Sequence, residues 1–533
     1  MDNVLPILAP FIVLNGGAMI IFLCSAQRCR NFRPYIPALA FVVIFLALFT
    51  AFFCQGHPAR ADELASADGS LRLTAFSRIT TYVGVIFGLI LVLVSWNPDH
   101  RGVAAAADQT NPQNPSISAE YFALLLVALS GLLLTAVANN LIVLFLALEM
   151  VSMPTYALVA LSRRHSQAKE AALKYFFLGA LAAALLVYGF SFIYGLTGTI
   201  RLDHISDAIT HGEIIHPQLF LLALVLVLVG LCFKIAAVPM HFYAADVYQG
   251  AACSVTALLA FLPKFAGFYV LFLLAGFVIY PLPENQAHII AGLIWILAAA
   301  TMIVGNVLAL VQRNVKRILA YSSVTHSGYI LLALLAWPYP DRSASIALVF
   351  YICAYALSTL GAFAILALME RNHDEVQQLS DLNGLSRQHP ALAAGLTICI
   401  FSLMGMPLTA GFIGKFYVFS ALFESTVLSQ YWIIVLLIIA LINIPIAAGY
   451  YLKIIAACYL GDEDFTPQIH AHRLQKTGIA LAVITTIILG VAPNLLLKYM
   501  PKPATATPPI INPVTNQNPT PTTPTDVPAP AIN

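Results

Sequence analysis

One apolar stretch, residues 219–248, constrains the fold of this chain more than any other part of the sequence. It reads LFLLALVLVLVGLCFKIAAVPMHFYAADVY, with Lys234 inside the aliphatic run and Pro239 five residues later. A straight helix of this length would extend about 45 Å, whereas the hydrocarbon core of a bilayer is about 30 Å thick. Because Pro239 has no backbone N–H to donate, we predict that the helix breaks near the lysine.

The composition predicts that the rest of the chain is also embedded in a membrane. Of the 533 residues, 60% are hydrophobic and 9% are charged, so a water-soluble domain of this size could not cover its surface. The net charge of +2 gives no indication of nucleic-acid binding, and no cysteine pair has CxxC spacing. We therefore predict an all-α polytopic membrane protein with about fourteen transmembrane helices, the first of them retained rather than cleaved as a signal. The predicted spans are 4–24, 35–54, 73–95, 120–138, 140–161, 170–194, 218–248, 254–279, 288–311, 317–337, 343–369, 392–424, 430–459 and 474–496.

Basic residues between the spans predict the orientation. With fourteen spans the three basic joints all fall on one side, which the positive-inside rule makes cytoplasmic. Both termini then face the outer side of the membrane. The basic joints contain Arg28, Arg30 and Arg33, then Arg163, Arg164 and Lys169, then Arg313, Lys316 and Arg317.

A second over-long span, 392–424, also carries helix-breaking residues and a lysine. Gly405 and Pro407 interrupt it, and Lys415 follows the interruption. The two interrupted spans lie five spans apart, an odd number, so the second unit would be inverted relative to the first. Paired interrupted helices of this kind are typical of inverted-repeat transporters whose ion path lies near the middle of the membrane.

Four charged residues inside apolar spans are the candidate functional residues: Glu149, Lys234, Lys264 and Lys415. A lysine near the bilayer centre costs about 2.5–3.5 kcal/mol on insertion scales, so such a residue normally has a partner and a role in ion or proton transfer. The alternative is a static ion pair that only fixes helix packing, or for Lys264 a lysine that extends to the membrane surface.

Other polar residues in the spans have weaker functional interpretations. His241 and His326 are possible proton relays, although histidines hydrogen-bonded to backbone carbonyls are an equal alternative. Asp246 is predicted to cap a helix or anchor a loop. Lys174, Arg313, Arg317 and Lys453 are predicted to extend to the membrane surface and set the topology.

Several long motifs give the chain a family resemblance. They read LALEMVSMPTYALVALSRR, EAALKYFFLGALAAALLVYGFSFIYGLTGT, FKIAAVPMHFYAADVYQG, GNVLALVQRNVKRILAYSSVTHSGY and GMPLTAGFIGKFYVF. In order and spacing they resemble the antiporter-like membrane subunits of respiratory complex I, the NADH–quinone oxidoreductase, and most of all its subunit N group. The resemblance covers residues 120–455 strongly and the first three spans weakly.

The resemblance implies a proton-translocating subunit with two inverted five-helix repeats. Glu149 and Lys234 would form the adjustable pair, Lys264 the central proton store, and Lys415 the exchange site. The chain itself would hold no cofactor, while NADH, FMN, iron–sulfur clusters and quinone would bind other subunits, and K and M type subunits would be its neighbours in the lipid bilayer. The predicted segments are 1–119 (helices 1–3 and a polar loop), 120–280 (first repeat), 281–460 (second repeat), 461–500 (a C-terminal helix) and 501–533 (a disordered Pro-rich tail).

Two alternatives stay open at this point, namely an Mrp-type cation/proton antiporter and a non-pumping structural subunit of the membrane arm. The chain also departs from the family's DVYEGAP motif, since Gln249 replaces the glutamate and Ala252 the proline. We expect this change to weaken the case for a charged proton-uptake site at that loop and to loosen its turn.

Overall fold

The computed structural model describes most of the membrane-embedded chain. Three groups of residues with predicted roles lie outside the described residues: the arginines at 28, 30, 33, 163 and 164, nearly all of the polar loop 96–119, and the tail 501–533. The described residues are 4–26, 35–56, 63–96, 117–162, 166–212, 214–336, 342–371, 374–425, 427–461, 468–469 and 472–500.

Within the described residues, 13 helices are long and apolar enough to cross a membrane. Two shorter apolar helices follow one another and together make one further crossing in two halves. The predicted all-α membrane architecture with about fourteen crossings is therefore confirmed. The helices that cross in one piece are α1 (Val4–Ala26), α2 (Ile36–Thr50, continued by a π-helical turn Ala51–Gln55), α3 (Ala75–Val94), α4 (Ile117–Val137), α5 (Leu141–Ser162), α6 (Ser166–Thr197), α8 (Pro217–Lys234), α10 (Cys253–Leu274, continued by a π-helical turn Ala275–Ile279), α11 (Glu284–Leu310), α12 (Val315–Leu335), α13 (Arg342–Ala367), α17 (Gln430–Leu460) and α18 (Arg473–Val491).

Short elements connect these crossings at the two ends of the molecule. An antiparallel pair of two-residue strands and a three-stranded sheet of order β4–β3–β5 lie between helices, and the sequence did not predict either. The remaining elements are α7 (Leu202–Thr210), α9 (Tyr243–Gly250), α14 (Leu385–Gln388), α15 (Pro390–Met404), α16 (Ala410–Phe423), α19 (Asn494–Leu497), the 3₁₀ turn Leu379–Leu382, β1 (Leu64–Ala65), β2 (Arg72–Leu73), β3 (Met369–Arg371), β4 (Asp374–Glu375) and β5 (Gln468–Ile469).

The first predicted break lies between α8 and α9. α8 stops at Lys234 itself, and the backbone is not helical again until Tyr243. Polar groups left unpaired by the break find partners nearby, as the bilayer requires. The N–H of Val238 donates to the hydroxyl of Thr301 on α11 at 3.1 Å, and the Tyr243 hydroxyl donates to the carbonyl of Phe233 at 2.7 Å.

The second break separates α15 from α16. Gly405 ends α15 with a left-handed backbone (φ +88°), which favours glycine because it has no Cβ. Gly411 lets the two halves approach, since a Cβ there would lie 1.8 Å from the Ser402 carbonyl oxygen. Both predicted breaks are thus present, while the inverted relation of the two halves and the predicted segment boundaries stay predictions.

Burial is uneven among the helices. α10, α12 and α13 are buried on nearly all sides, whereas α1, α2, α6, α17 and α18 each have a face with exposed large apolar side chains. These apolar side chains suit a lipid-facing surface, because lipid tails are as apolar as the protein interior. Polar residues on α10, α12 and α13 would consequently be isolated from both lipid and water.

Close packing of α4 on α5 gives a test of the fold. A Cβ added at Gly131 on α4 would lie 2.8 Å from the Val151 backbone nitrogen, whereas one at Gly292 on α11 would meet no atom within 4 Å. We expect Gly131→Ala to destabilise the chain by about 1–3 kcal/mol through overpacking. Gly292→Ala should be neutral or slightly stabilising, since alanine favours helix. The measurement is the midpoint temperature of thermal unfolding in detergent-solubilised membranes, and equal midpoints for the two variants would contradict this packing.

Candidate functional site

The first candidate group is an ion pair between α5 and the end of α8. Lys234 Nζ lies 2.8 Å from Glu149 Oε1, and it also donates to the Ser152 hydroxyl at 2.6 Å. The Lys234 side chain is 2% exposed and that of Glu149 is 13% exposed. Glu149 and Ser152 are three residues apart on one helix, so they present two oxygen acceptors to the same ammonium group. The sequence prediction that these two charges form a pair therefore agrees with the structure.

Lys264 on α10 is the second group, and it is held by α12. Its amine donates to the Ser327 hydroxyl at 2.8 Å and to the backbone carbonyl of Ser323. Its ammonium group also lies 5.2 Å from the centroid of the Tyr355 ring, within the range of a cation–π contact. Lys264 is buried, so its alternative interpretation as a lysine that extends to the membrane surface is wrong.

Ser327 connects the first group to the second. Its hydroxyl accepts from Lys264 and donates at 2.5 Å to the carbonyl of Ile235, which is the residue directly after Lys234. Ser323 has a similar role on the other side, because its hydroxyl is within hydrogen-bond distance of both Tyr355 (2.7 Å) and Tyr248 (3.1 Å). Ser327 of α12 thus links Lys264 to the backbone at the end of α8, next to Lys234.

His326, also on α12, contacts α13 and α17. Its Nδ1 is 2.9 Å from the Tyr351 hydroxyl and its Nε2 is 3.1 Å from the Tyr451 hydroxyl. Both ring nitrogens therefore have side-chain partners, so the alternative of a histidine satisfied by backbone carbonyls does not hold. Which nitrogen carries the proton depends on the tautomer, and the two hydroxyls can serve either tautomer.

Lys415 on α16 is the last group. Its amine donates to the carbonyls of Met404 (2.8 Å) and Leu403 (3.3 Å), the final residues of α15, and lies 5.0 Å from the Tyr329 ring centroid. Its neighbour Gly414 packs against Tyr351, since a Cβ there would lie 3.1 Å from that ring. Because Tyr351 also binds His326, Lys415 lies one aromatic ring away from that histidine.

Both broken helices place a lysine beside the C-terminal end of their first half. Lys234 is the last residue of α8, and Lys415 binds the last carbonyls of α15. The C-terminal end of a helix carries unpaired carbonyls and a partial negative charge, and both features stabilise a cation. A break inside the membrane therefore provides a site for an ammonium group without a full counter-charge, which is how Lys415 is held.

A second charged cluster lies at the end of the molecule where α6, α9 and α12 meet. Asp246 accepts from Lys174 at 2.8 Å and from Arg317 at 2.8 Å, through its two different oxygens. Lys174 also pairs with Glu170 at 2.8 Å. Asp246 lies within α9 and ties this helix to α6 and α12, and Lys174 and Arg317 are its ion-pair partners rather than side chains that only extend to the surface. Their contacts link positions 71 and 72 residues apart, which no local pattern in the sequence reveals.

The turn after α9 is tied in place at this cluster. The Gln249 side-chain oxygen accepts from Arg317 at 3.0 Å, and the buried amine of Lys316 donates to the carbonyl of Ala251 at 3.0 Å. A pocket of about 150 Å³ opens beside it, lined by Gln167, Glu170, Ala171, Lys174, Asp246, Gln249 and Gly250. Gln249 and Ala252 thus lie at a turn that is bonded to α12 and adjoins charged side chains of α6, while the expectations of a weaker case for proton uptake and a looser turn stay predictions.

The structure also separates the two histidines. His241 lies in the break after α8, is buried, and has an Nδ1 without a hydrogen-bond partner among the described residues. It has no recorded contact with Glu149, Lys264 or Lys415, whereas His326 lies between two tyrosine hydroxyls. Sequence reasoning missed those serine and tyrosine hydroxyls. Their signal was the run YSSVTHS, residues 321–327, which is too polar for a helix facing lipid.

Within the described residues, no group of three or more His, Cys, Asp or Glu side chains could hold a metal ion. The described side chains themselves supply groups for acid–base chemistry. One carboxylate, three amines, an imidazole and several hydroxyls lie in a buried series that can bind and pass protons.

Comparisons with known proteins agree with this arrangement. Residues 138–443 match the family model described as NADH:quinone oxidoreductase/Mrp antiporter, TM. NADH-quinone oxidoreductase subunit N of Nitrosomonas europaea is 38% identical over 384 residues, covering 72% of this chain and 76% of the relative. The Gemmatimonas aurantiaca protein of the same name is 32% identical over 525 residues, covering 96% and 95%.

A solved structure extends the likeness to the fold. A chain of respiratory complex I from Thermus thermophilus, determined with bound aureothin, superposes with a TM-score of 0.73 at 29% identity. The match covers 92% of this chain and 98% of that one. The chain therefore belongs to the NADH:quinone oxidoreductase/Mrp antiporter family of membrane proteins, in the group of NADH-quinone oxidoreductase subunit N.

Proposed function

We propose that this chain is a proton-translocating membrane subunit of an NADH–quinone oxidoreductase, in which quinone reduction elsewhere in the complex drives protons along its buried polar residues. The observation that carries the proposal is the set Glu149, Lys234, Lys264 and Lys415 inside the membrane spans, with the three lysines buried and Ser327 linking Lys264 to the end of α8. Lys234 has the Glu149 carboxylate as its partner, whereas Lys264 and Lys415 are held by carbonyl and hydroxyl groups, and burying three amines in this way only to fix packing would be costly.

Each charged residue has a role in this proposal that follows from its contacts. Glu149 and Lys234 form the adjustable pair, because any movement of α5 relative to α8 changes their separation and thereby the proton affinity of both. Lys264 serves as the central store, held by Ser323 and Ser327 rather than by a carboxylate. Lys415 is the exchange site towards a neighbouring subunit or the outer face, with His326 as the relay that leads to it.

The surroundings of the chain follow from the same proposal. The relatives named subunit N and the complex I match support a place in a multi-subunit membrane complex. We propose K and M type subunits as its neighbours, a bacterial plasma membrane as its location, and both termini on the outer side. NADH, FMN, iron–sulfur clusters and quinone would bind other subunits of the complex.

The two alternatives differ from the proposal in specific ways. An Mrp-type antiporter would share the lysines and the broken helices, since the family model covers both groups, but the relatives at 32–38% identity carry the name subunit N. A non-pumping structural subunit is favoured by one observation, namely that all three buried amines already have partners. In that case replacing them would reduce assembly and leave proton transfer per assembled complex unchanged.

A prediction for the ion pair concerns Lys234→Met, which removes the charge and keeps nearly the length of the side chain. We expect the complex to assemble while NADH–quinone electron transfer and proton uptake both fall at least about tenfold, because the amine that accepts and releases the proton is missing. Both rates are measured together in membrane vesicles. Lys453→Met is the matched control, since Lys453 is exposed and donates only to the Leu310 carbonyl among its recorded contacts.

Two outcomes of this experiment oppose the proposal. If Lys234→Met assembles and keeps both rates near those of Lys453→Met, Lys234 is a structural charge and the pump assignment fails. If the only change is the amount of assembled complex, the structural-subunit alternative replaces it.

A prediction for the peripheral cluster concerns Asp246→Asn. An asparagine cannot neutralise Lys174 and Arg317 together, so we expect proton uptake per assembled complex to fall about threefold to tenfold, as for the loss of a partly exposed charge network. Asp203→Asn is the control, because Asp203 is similarly exposed (31% against 35%) and pairs with Arg201 in a different part of the molecule. Equal rates in the two variants would show that the cluster only anchors the loop.

A further inference from the structure

One buried hydroxyl near the Glu149–Lys234 pair is not used by the proposed series. Tyr156 on α5 is 8% exposed, and its hydroxyl has no hydrogen-bond partner among the described residues. A buried hydroxyl without a partner is costly, so its persistence needs an explanation. It lies one helical turn after Ser152, about 6 Å along the axis, on the helix that carries Glu149.

The depth of this hydroxyl places it between the pocket and the ion pair. It packs directly against Gly179 on α6, where an added Cβ would lie 2.1 Å from the hydroxyl oxygen and 3.2 Å from the Phe233 ring. Gly179 is five residues further along α6 than Lys174 at the pocket, which is about 7.5 Å deeper. Phe233 directly precedes Lys234. The hydroxyl therefore lies at a level between Lys174 and Lys234.

An aromatic cluster surrounds the hydroxyl and would otherwise separate the pocket from the ion pair. The Tyr156 ring meets Tyr175 edge-on at 4.6 Å, and Tyr175 stacks on Tyr243 at 5.0 Å. Tyr243 uses its hydroxyl on the Phe233 carbonyl, and the Tyr175 hydroxyl lies 3.5 Å from that of Thr155. Of these three tyrosines, Tyr156 is the one whose hydroxyl is free to take a new partner.

We propose that Tyr156 is the relay residue that carries protons from the pocket lined by Lys174 and Asp246 to the Glu149–Lys234 pair. This inference rests on the proposed function. The pocket, at about 150 Å³, has room for several waters and has charged walls, and Lys174 on its wall directly precedes Tyr175 of the aromatic cluster. There the hydroxyl oxygen of Tyr156 bonds the incoming proton as its own proton leaves through Ser152 for the neutral amine of Lys234. Tyr156 ends the step with its original proton count and charge.

The side-chain direction of α5 supports this route. Side chains on a helix tilt towards its N-terminus, so Tyr156 leans back towards Ser152 and Glu149 rather than away from them. Gly179 supplies the space that the hydroxyl needs to turn, because any other residue would place a Cβ on the hydroxyl oxygen. The absence of a side chain at Gly179 on α6 therefore leaves the space that the free hydroxyl of Tyr156 on α5 occupies.

The test compares Tyr156→Phe with Tyr121→Phe in vesicles that contain the assembled complex. Both changes remove one buried hydroxyl, and that of Tyr121 bonds Ser95 between α3 and α4, away from the pocket. We expect Tyr156→Phe to lower NADH-driven proton uptake per assembled complex about tenfold and to raise the solvent deuterium isotope effect on it. Tyr121→Phe should change neither. Gly179→Ala, which keeps the hydroxyl but displaces it, should lower uptake as Tyr156→Phe does.

Lys234→Met measured in parallel separates the two levels of the proposal. If Tyr156→Phe or Gly179→Ala pumps like the wild type with an unchanged isotope effect while Lys234→Met fails, the relay is wrong and the proposed function stands. If Lys234→Met also pumps normally, the proposed function itself is wrong. A Tyr156→Phe variant with reduced assembly but a normal rate per complex would show that the hydroxyl is only structural.

Discussion

The rest of the structure depends on the need to stabilise buried ammonium groups in a membrane. A lysine inside a bilayer is tolerated only where a carboxylate, carbonyls or hydroxyls replace the water it has lost. The chain meets this requirement in three different ways. Lys234 has the Glu149 carboxylate, Lys264 has a carbonyl and a hydroxyl of α12, and Lys415 has the free carbonyls at the end of α15.

Breaking two helices is what makes these positions available. A helix that ends in the membrane leaves several carbonyls without intrahelical donors, and at the end of α15 these carbonyls hold Lys415. The cost is a non-helical segment at depth, and the chain limits it with bonds from Thr301 and Tyr243 at the first break. At the second break glycines at 405 and 411 supply the left-handed turn and the close approach. Lys234 and Lys415, two of the candidate functional residues, therefore lie at or beside the two breaks in the backbone.

The three lysines differ in how readily a movement could change their protonation. The partner of Lys234 is on another helix and is itself ionisable, so a small shift between α5 and α8 alters a direct charge–charge contact. Lys264 and Lys415 bind dipoles, whose effect falls off faster with distance and which cannot take the proton themselves. In the proposed function this makes the Glu149–Lys234 pair the place where a change elsewhere in the complex would act first.

Sequence reasoning succeeded where the physics is local or one-dimensional. Apolar run length predicted about fourteen crossings, Pro239 and Gly405 predicted the two breaks, and the cost of burial singled out Glu149, Lys234, Lys264 and Lys415. It could not predict that Ser327 joins Lys264 to the end of α8, since these residues come from three separate helices. The role of Tyr156 was equally hidden, because a tyrosine in an apolar run is ordinarily a packing residue.

The sequence by itself determined that the chain is a helical membrane protein, where its helices break, and which charges must be buried, because each follows from segment length, proline and glycine geometry, or the cost of desolvation. Only the tertiary structure decided the partners. It paired Lys234 with Glu149 across 85 residues, drew Lys174 and Arg317 onto Asp246, and left the hydroxyl of Tyr156 free against Gly179. Hydrogen bonds and ion pairs act over about 3 Å in space whatever the separation along the chain, so their pattern exists only once the helices are packed.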